Sequence, residues 1–139
     1  MKITNAGVLV DSSVWIEYFR SASTLYDEVV DDLLLEDRVV LGDLVLHEVL
    51  RGVRSQGALE IIRQTMTRLV CHDMLGYERA NRSAARYRDL RTKGITVRRA
   101  NDAIIASFCL DEGFALLTAD RDFKPYAEHL GLQLAGEPT

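Results

Sequence analysis

Four carboxylates fall where a parallel α/β chain gathers its functional groups. Asp11 ends the apolar run Val8-Leu9-Val10, Glu48 lies among core-type residues in Leu46-His47-Glu48-Val49-Leu50, Asp102 opens the apolar segment Ala103 to Asp111, and Asp120 follows Phe114 to Thr118. Asp122 stands two residues further on. Taken singly, each has an ordinary employment: an N-cap for Asp11, a helix-dipole partner for Asp102, turn residues for Asp120 and Asp122, a surface group for Glu48. Taken together they repel, at about 3 kcal/mol for each pair 5 Å apart in an effective dielectric near 20. A hard divalent cation such as Mg²⁺ or Mn²⁺ offsets that cost, because it prefers oxygen ligands and is held by carboxylates, water and substrate phosphate. Such an ion activates water and stabilises charge on a phosphodiester, so the chemistry these groups suit is metal-dependent phosphodiester hydrolysis. Competing chemistries find little support. His47, His72 and His129 lack ligand spacing, no P-loop or Gly-x-Ser-x-Gly elbow is present, and Ser12 or Ser13 as a nucleophile is disfavoured. An aspartyl-phosphate phosphatase is disfavoured too, because Asp11-Ser12-Ser13 has no second Asp two residues on.

The elements that must position these acids follow from periodicity. Val8 to Val10, Arg38 to Leu41, Leu69 to Cys71 and Phe114 to Thr118 read as short buried strands, and Leu132-Gln133-Leu134 as a last edge strand. Helices are expected over Val14 to Phe19, Thr24 to Glu36, Leu44 to Arg54, Ala58 to Thr67, Gly76 to Lys93 and Ala103 to Asp111, with Gly94 and Gly113 as stops. Alternating strands and helices imply an α/β domain, a mostly parallel sheet of about five strands covered on both faces. In such sheets the functional crevice lies beyond the carboxyl ends of the strands, where Asp11 and Asp120 emerge. Advancing 100° per residue along Gly76 to Lys93 puts Tyr77, Ala80, Ala84, Tyr87 and Leu90 on an inward side and Arg79, Arg82, Arg86 and Lys93 on an outward one, with Arg88 and Arg91 near the apolar stripe.

At 139 residues the chain has room for one domain, 1–139, with a core that needs no disulfide. Cys71 and Cys109 sit in apolar surroundings and read as two buried thiols in a reducing cytosol. Met1 to Gly7 holds no signal-peptide core and no apolar run approaches a membrane span, so a cytoplasmic location is expected. The formal charge of −4 argues weakly against a polyanionic partner. Resolved along the chain it reverses: residues 51–99 carry 12 Lys or Arg against four acids, a surplus of +8, while the remainder is at −12. Arg79, Arg82, Arg86 and Lys93 are therefore candidates to track RNA phosphates, against the alternative of a solvated helix face. Trp15, Tyr18, Phe19, Leu25 and Tyr26 exceed the needs of one short helix, leaving surface for a homodimer or for a partner helix in a groove, with burial in the monomer the default for any one of them.

Val8-Leu9-Val10-Asp11-Ser12-Ser13-Val14-Trp15, Leu46-His47-Glu48-Val49-Leu50-Arg51-Gly52, Asn101-Asp102-Ala103-Ile104-Ile105-Ala106 and Leu117-Thr118-Ala119-Asp120-Arg121-Asp122-Phe123 occur in the order and approximate spacing of PIN-domain ribonucleases. The chain resembles in particular the VapC-type toxins of bacterial toxin–antitoxin pairs, over essentially its whole length. The resemblance implies a PIN-like three-layer α/β/α sandwich and an endoribonuclease that leaves 5′-phosphate and 3′-hydroxyl ends. By it, Asp11, Glu48 and Asp102 match the first three acidic positions that bind Mg²⁺ or Mn²⁺ and organise water. Asp120 is favoured as the fourth, with Asp122 as an alternate ligand. Ser12 and Thr118 match hydroxyl positions that orient carboxylates or water, and Asn101 is expected to position Asp102 or a phosphate. The implied partners are RNA, a cognate VapB-like antitoxin that holds the toxin inactive, and a second copy in a homodimer. Two other readings stand beside this one: a housekeeping RNA-processing nuclease without an antitoxin, and a non-catalytic RNA- or protein-binding module.

Overall fold

The structure is a computed structural model and describes residues 7–20 and 25–136. The segment Met1 to Ala6, the expected helix start at Thr24 and the second proline, Pro138, lie outside those residues. Val8–Val10 (β1) pairs with Val39–Gly42 (β2) on one side and Ala115–Leu117 (β4) on the other, and Cys71–His72 (β3) extends the sheet beyond β2. Every pairing is parallel. Beyond β4 the expected fifth strand shrinks to one parallel bridge, Leu116 with Leu134, flanked by two backbone hydrogen bonds.

Between the strands run Ser12–Phe19 (α1), Asp27–Leu35 (α2), Asp43–Arg51 (α3), Gln56–Met66 (α4), Tyr77–Thr92 (α5) and Ala100–Glu112 (α6). A 3₁₀ turn, Arg121–Phe123, then leads into Lys124–Leu130 (α7). All three residues of β1 are buried, as a parallel strand covered by helices on both faces must be. The core gathers Leu9, Leu41, Ile105, Leu116 and Leu117 of the sheet and α6 with Trp15, Phe108, Phe123 and Tyr126. Gly113 ends α6 at φ 75°, where a side chain would be strained. Among the described residues no helix is long and apolar enough to cross a membrane.

Two expectations need correction. Cys71 is exposed and only Cys109 is buried, because β3 is a two-residue edge strand with its neighbour on one side alone. The faces of α5 are also partly turned: Leu90 is buried and Arg82 and Lys93 are exposed as expected, but Tyr77 is 81% exposed and Ala80 and Ala84 are exposed, whereas Ser83 is buried and Arg79 and Arg86 are half-buried against α6. The cause lies in α6, whose end presents Asp111 and Glu112. Arg82 and Arg86 donate to Asp111 Oδ1 at 3.0 and 2.8 Å, Arg79 pairs with Glu112, and Arg86 also donates to Ser107 Oγ at 2.6 Å. A third expectation holds in its default form: the aromatic surplus near the N-terminus is mostly consumed within the fold. Trp15 is fully buried and stacks on Phe19 at 5.6 Å, Tyr18 packs edge-on to both, and among these side chains only Leu25 is widely exposed.

Candidate active site

The sheet register builds the site. Val10 is paired with Leu117, and the Asp11 N–H donates to the Leu117 carbonyl at 2.9 Å, so the residues that leave β1 and β4 emerge side by side. Asp11 is 4% exposed. Its Oδ2 accepts hydrogen bonds from Ser13 Oγ at 2.7 Å and Thr118 Oγ1 at 2.9 Å. Although Asp11 occupies the N-cap position of α1, its side chain makes no capping hydrogen bond, so the capping explanation of this residue fails. Burial raises its pKa above the ordinary carboxylate value, against the lowering effect of those hydroxyl bonds, and the nearby Glu48 charge adds to the rise.

Glu48 projects from α3, which packs on α1. Ser12 Oγ donates to its Oε1 at 2.8 Å and Asn101 Nδ2 to its Oε2 at 3.1 Å. Asn101 thus holds Glu48 and not its neighbour Asp102, the first of the two roles the sequence suggested beside a phosphate; in the first turn of α6 its amide points across to α3. Asp102 is also 4% exposed, and its Oδ2 is buried without a hydrogen-bond partner. Its pKa is pushed up to about 7, first by burial and then by the charges of Asp120, Asp11 and Glu48, while Arg99 pulls the other way.

Carboxylate oxygens of Asp102, Asp120 and Asp122 all lie within 4.8 Å of one another. Asp120 caps the 3₁₀ turn by accepting the Asp122 N–H at 2.9 Å, so the turn explanation and the cluster hold at once. The Thr118 hydroxyl accepts the Asp120 N–H at 3.0 Å, tying the β4 loop to Asp11 through one side chain. Ser13 does the same from α1, accepting the Ala119 N–H at 3.1 Å; its neighbours in sequence gave no sign of this beyond a small hydroxyl two residues after an acid. Three acids this close, one with a desolvated and unpartnered oxygen, fit a divalent cation: the ion would supply the missing partner and the charge that burial withholds.

The candidate RNA-tracking cations do not join this cluster. Arg79, Arg82 and Arg86 are committed to Asp111 and Glu112, and Lys93 pairs with Asp89 one turn back on its own helix. Near the acids stands Arg98 instead, 3.7 Å from Asp122 with its side chain 81% exposed.

Comparison with known proteins agrees with this geometry. The family model described as the PIN domain matches residues 8–129. The VapC ribonuclease Mb1587 of Mycobacterium bovis is 31% identical over 133 residues, covering 92% of this chain and 97% of that protein. Ribonuclease VapC11 of Mycobacterium tuberculosis shows the same identity and coverage. Among solved structures, DNA-bound VapBC from Salmonella typhimurium superposes with a TM-score of 0.73 at 17% identity, over 93% of this chain and 96% of that one. VapBC2 from Rickettsia felis, bound to a DNA fragment from its promoter, gives 0.71 at 19% identity, over 91% and 96%.

Proposed function

The chain belongs to the PIN-domain family, and from that premise we propose that it is an endoribonuclease toxin of a toxin–antitoxin pair, acting with Mg²⁺ or Mn²⁺ and neutralised by a VapB-like antitoxin. The observation that carries this reading is the convergence of Asp102, Asp120 and Asp122 beside Asp11 and Glu48, with Asp102 Oδ2 buried and unpartnered. Asp11, Glu48, Asp102 and Asp120 would hold the cation, with Asp122 as a further oxygen donor. When bound, the ion supplies Lewis-acid activation of water and stabilises charge on the phosphodiester.

The remaining roles belong to the chain itself. Ser13 and Thr118 fix the Asp11 carboxylate through two hydroxyl bonds to one oxygen, leaving Oδ1 free of them. Ser12 and Asn101 take one lone pair from each Glu48 oxygen. Each oxygen keeps a second lone pair, so Glu48 can still orient a water and receive its proton. The first turn of α6 adds the positive end of its helix dipole, which favours the negative charges gathered there. A cytoplasmic location suits an RNA substrate. The curated relatives are named as ribonucleases, and a solved neighbour from Klebsiella pneumoniae as a toxin–antitoxin complex, which supports an antitoxin for this chain too.

Brief induction of the protein followed by mapping of cellular RNA 5′ ends tests the reading. New 5′-phosphate ends should arise with the wild type and vanish with Asp11→Asn, whose circular dichroism and melting should stay native-like. Undiminished cleavage by a folded, nuclease-free Asp11→Asn preparation would sink the mechanism.

A further inference from the structure

The ion pairs of α5 divide the arginines of the +8 stretch into two groups. Arg79, Arg82 and Arg86 neutralise the end of α6. Arg88 and Arg91, one turn apart on the same helix, are exposed, and among the described residues no hydrogen bond or ion pair engages the guanidinium of either. With Arg98 they rim a groove of about 540 Å³ between α5 and the start of α6, lined within by Tyr87, Val97 and Ile104. Two links bring the groove close to the acid cluster: Ala103, which lines it, directly follows Asp102, and Arg98 on its rim lies 3.7 Å from Asp122.

We propose that this groove is the path of a single-stranded RNA leaving the acid cluster, with Arg88 and Arg91 on backbone phosphates and the face of Tyr87, Val97 and Ile104 against unstacked bases. The proposal deepens the ribonuclease reading and rests on it. Cations on the rim with aromatic and aliphatic groups inside are what a single strand needs, since its phosphates and base faces are both available. A duplex keeps its bases stacked and would leave the apolar lining unused. A second copy docked by the same face would set these arginines against their own equivalents, because a two-fold contact pairs a patch with itself. A polyanion has the opposite charge relation. The amphipathic pattern of α5 fits as well: its apolar side, turned outward in the fold, acquires a partner.

The test reverses both charges, Arg88→Glu with Arg91→Glu, at positions exposed enough for the fold to survive. Arg63→Glu with Arg68→Glu, also exposed and unpaired, makes the same change in net charge on and just after α4. The probe is a labelled single-stranded RNA spanning a cleavage site mapped as above. Binding is read by anisotropy in an Asp11→Asn background with Mg²⁺, where the RNA stays whole, and KM and kcat are read without that substitution. The α5 pair should weaken binding at least tenfold, raise KM at least tenfold, and leave kcat within about threefold. Its salt slope should flatten by about 1.4, the single-strand value for two lost phosphate contacts. The Arg63 and Arg68 pair should leave all of these near wild type.

Equal losses from both pairs would mean bulk charge and overturn the groove. So would unchanged RNA binding by the α5 pair, including the case where light scattering shows that it has lost a dimer. Should the α5 pair fail to fold, Arg88→Gln with Arg91→Gln takes its place under the same criteria. A wild type that yields no cleavage site at all overturns the ribonuclease reading itself, an outcome distinct from cleavage that ignores the groove.

Discussion

Asp102 sets a cost in the metal-free protein that can be measured without any RNA. The side chain is 4% exposed, its Oδ2 has no hydrogen-bond partner, and its pKa stands at about 7 against an ordinary 3.8. A folded-state pKa above the unfolded one means that the folded protein binds the proton more tightly. The associated stability is therefore present at low pH and is lost as pH rises from about 4 through about 7. At about 1.4 kcal/mol per unit, the charged side chain costs the fold about 4 kcal/mol at pH 8 and about 2 kcal/mol at pH 5. Asp102→Asn keeps the shape and removes the titration. In EDTA, urea unfolding should find the Asn variant more stable than wild type at pH 8, with the gap shrinking by about 2 to 3 kcal/mol on going to pH 5. The change in the gap is the sharper quantity, because any fixed effect of the amide cancels. Addition of Mg²⁺ at pH 8 should reverse the order, since only the wild type gains binding energy from the ion. A gap independent of pH, or a variant no more stable than wild type at pH 8 in EDTA, would refute the view of Asp102 as a desolvated acid in want of a cation.

Two further outcomes separate structural from functional polar groups. Ser12→Ala removes the hydroxyl that holds Glu48 Oε1 and should lower Mn²⁺ affinity by about 10- to 100-fold, the usual effect of losing a group that orients a metal ligand, as titration calorimetry would read; an unchanged affinity would detach Glu48 from the metal site. Arg86→Ala breaks bonds to Ser107 and Asp111 in the α5–α6 seam and should destabilise by about 2 kcal/mol, whereas Lys93→Ala, which breaks an exposed pair within α5, should cost at most about 0.5 kcal/mol. Similar costs for the two in denaturant unfolding would contradict the division between seam and surface.

What was legible in the sequence was whatever one residue type and its neighbours determine. Val8 to Val10 can do little but form a buried strand, so Asp11 had to emerge at its end, and the parallel register with Ala115 to Leu117 put Thr118 beside it. Partners chosen across the fold were not legible. Asn101 sits next to Asp102 in the chain but donates to Glu48, 53 positions away. The orientation of α5 was misjudged for the same reason: a helical wheel ranks arginines as outward, and nothing local reveals that Asp111 and Glu112 will stand opposite them. The helix Lys124–Leu130 escapes a periodicity reading despite Pro125 in its first turn and Gly131 at its end, the usual asymmetry of helix termini. Its short apolar content hid how fully Tyr126 is buried.

The helix α6 carries two aspartates that the fold treats in opposite ways, and the contrast locates function better than net charge does. Asp111 is shielded, and burial alone would raise its pKa, but hydrogen bonds from Arg82 and Arg86 outweigh that and hold it below the ordinary value. Even its oxygen without a hydrogen bond, Oδ2, lies 3.8 Å from the Arg79 guanidinium. Asp102 is more deeply buried, yet among the described residues no cation reaches it by hydrogen bond or ion pair; Arg99 acts only through space, and three more carboxylates add to the strain. A chain able to place three arginines around one aspartate had the means to neutralise the other. Leaving Asp102 uncompensated costs stability in the absence of a ligand, and a persistent cost of that kind is explained by a cation from outside the chain. The same reasoning assigns Asp111 to packing, although both residues are shielded acids on one helix.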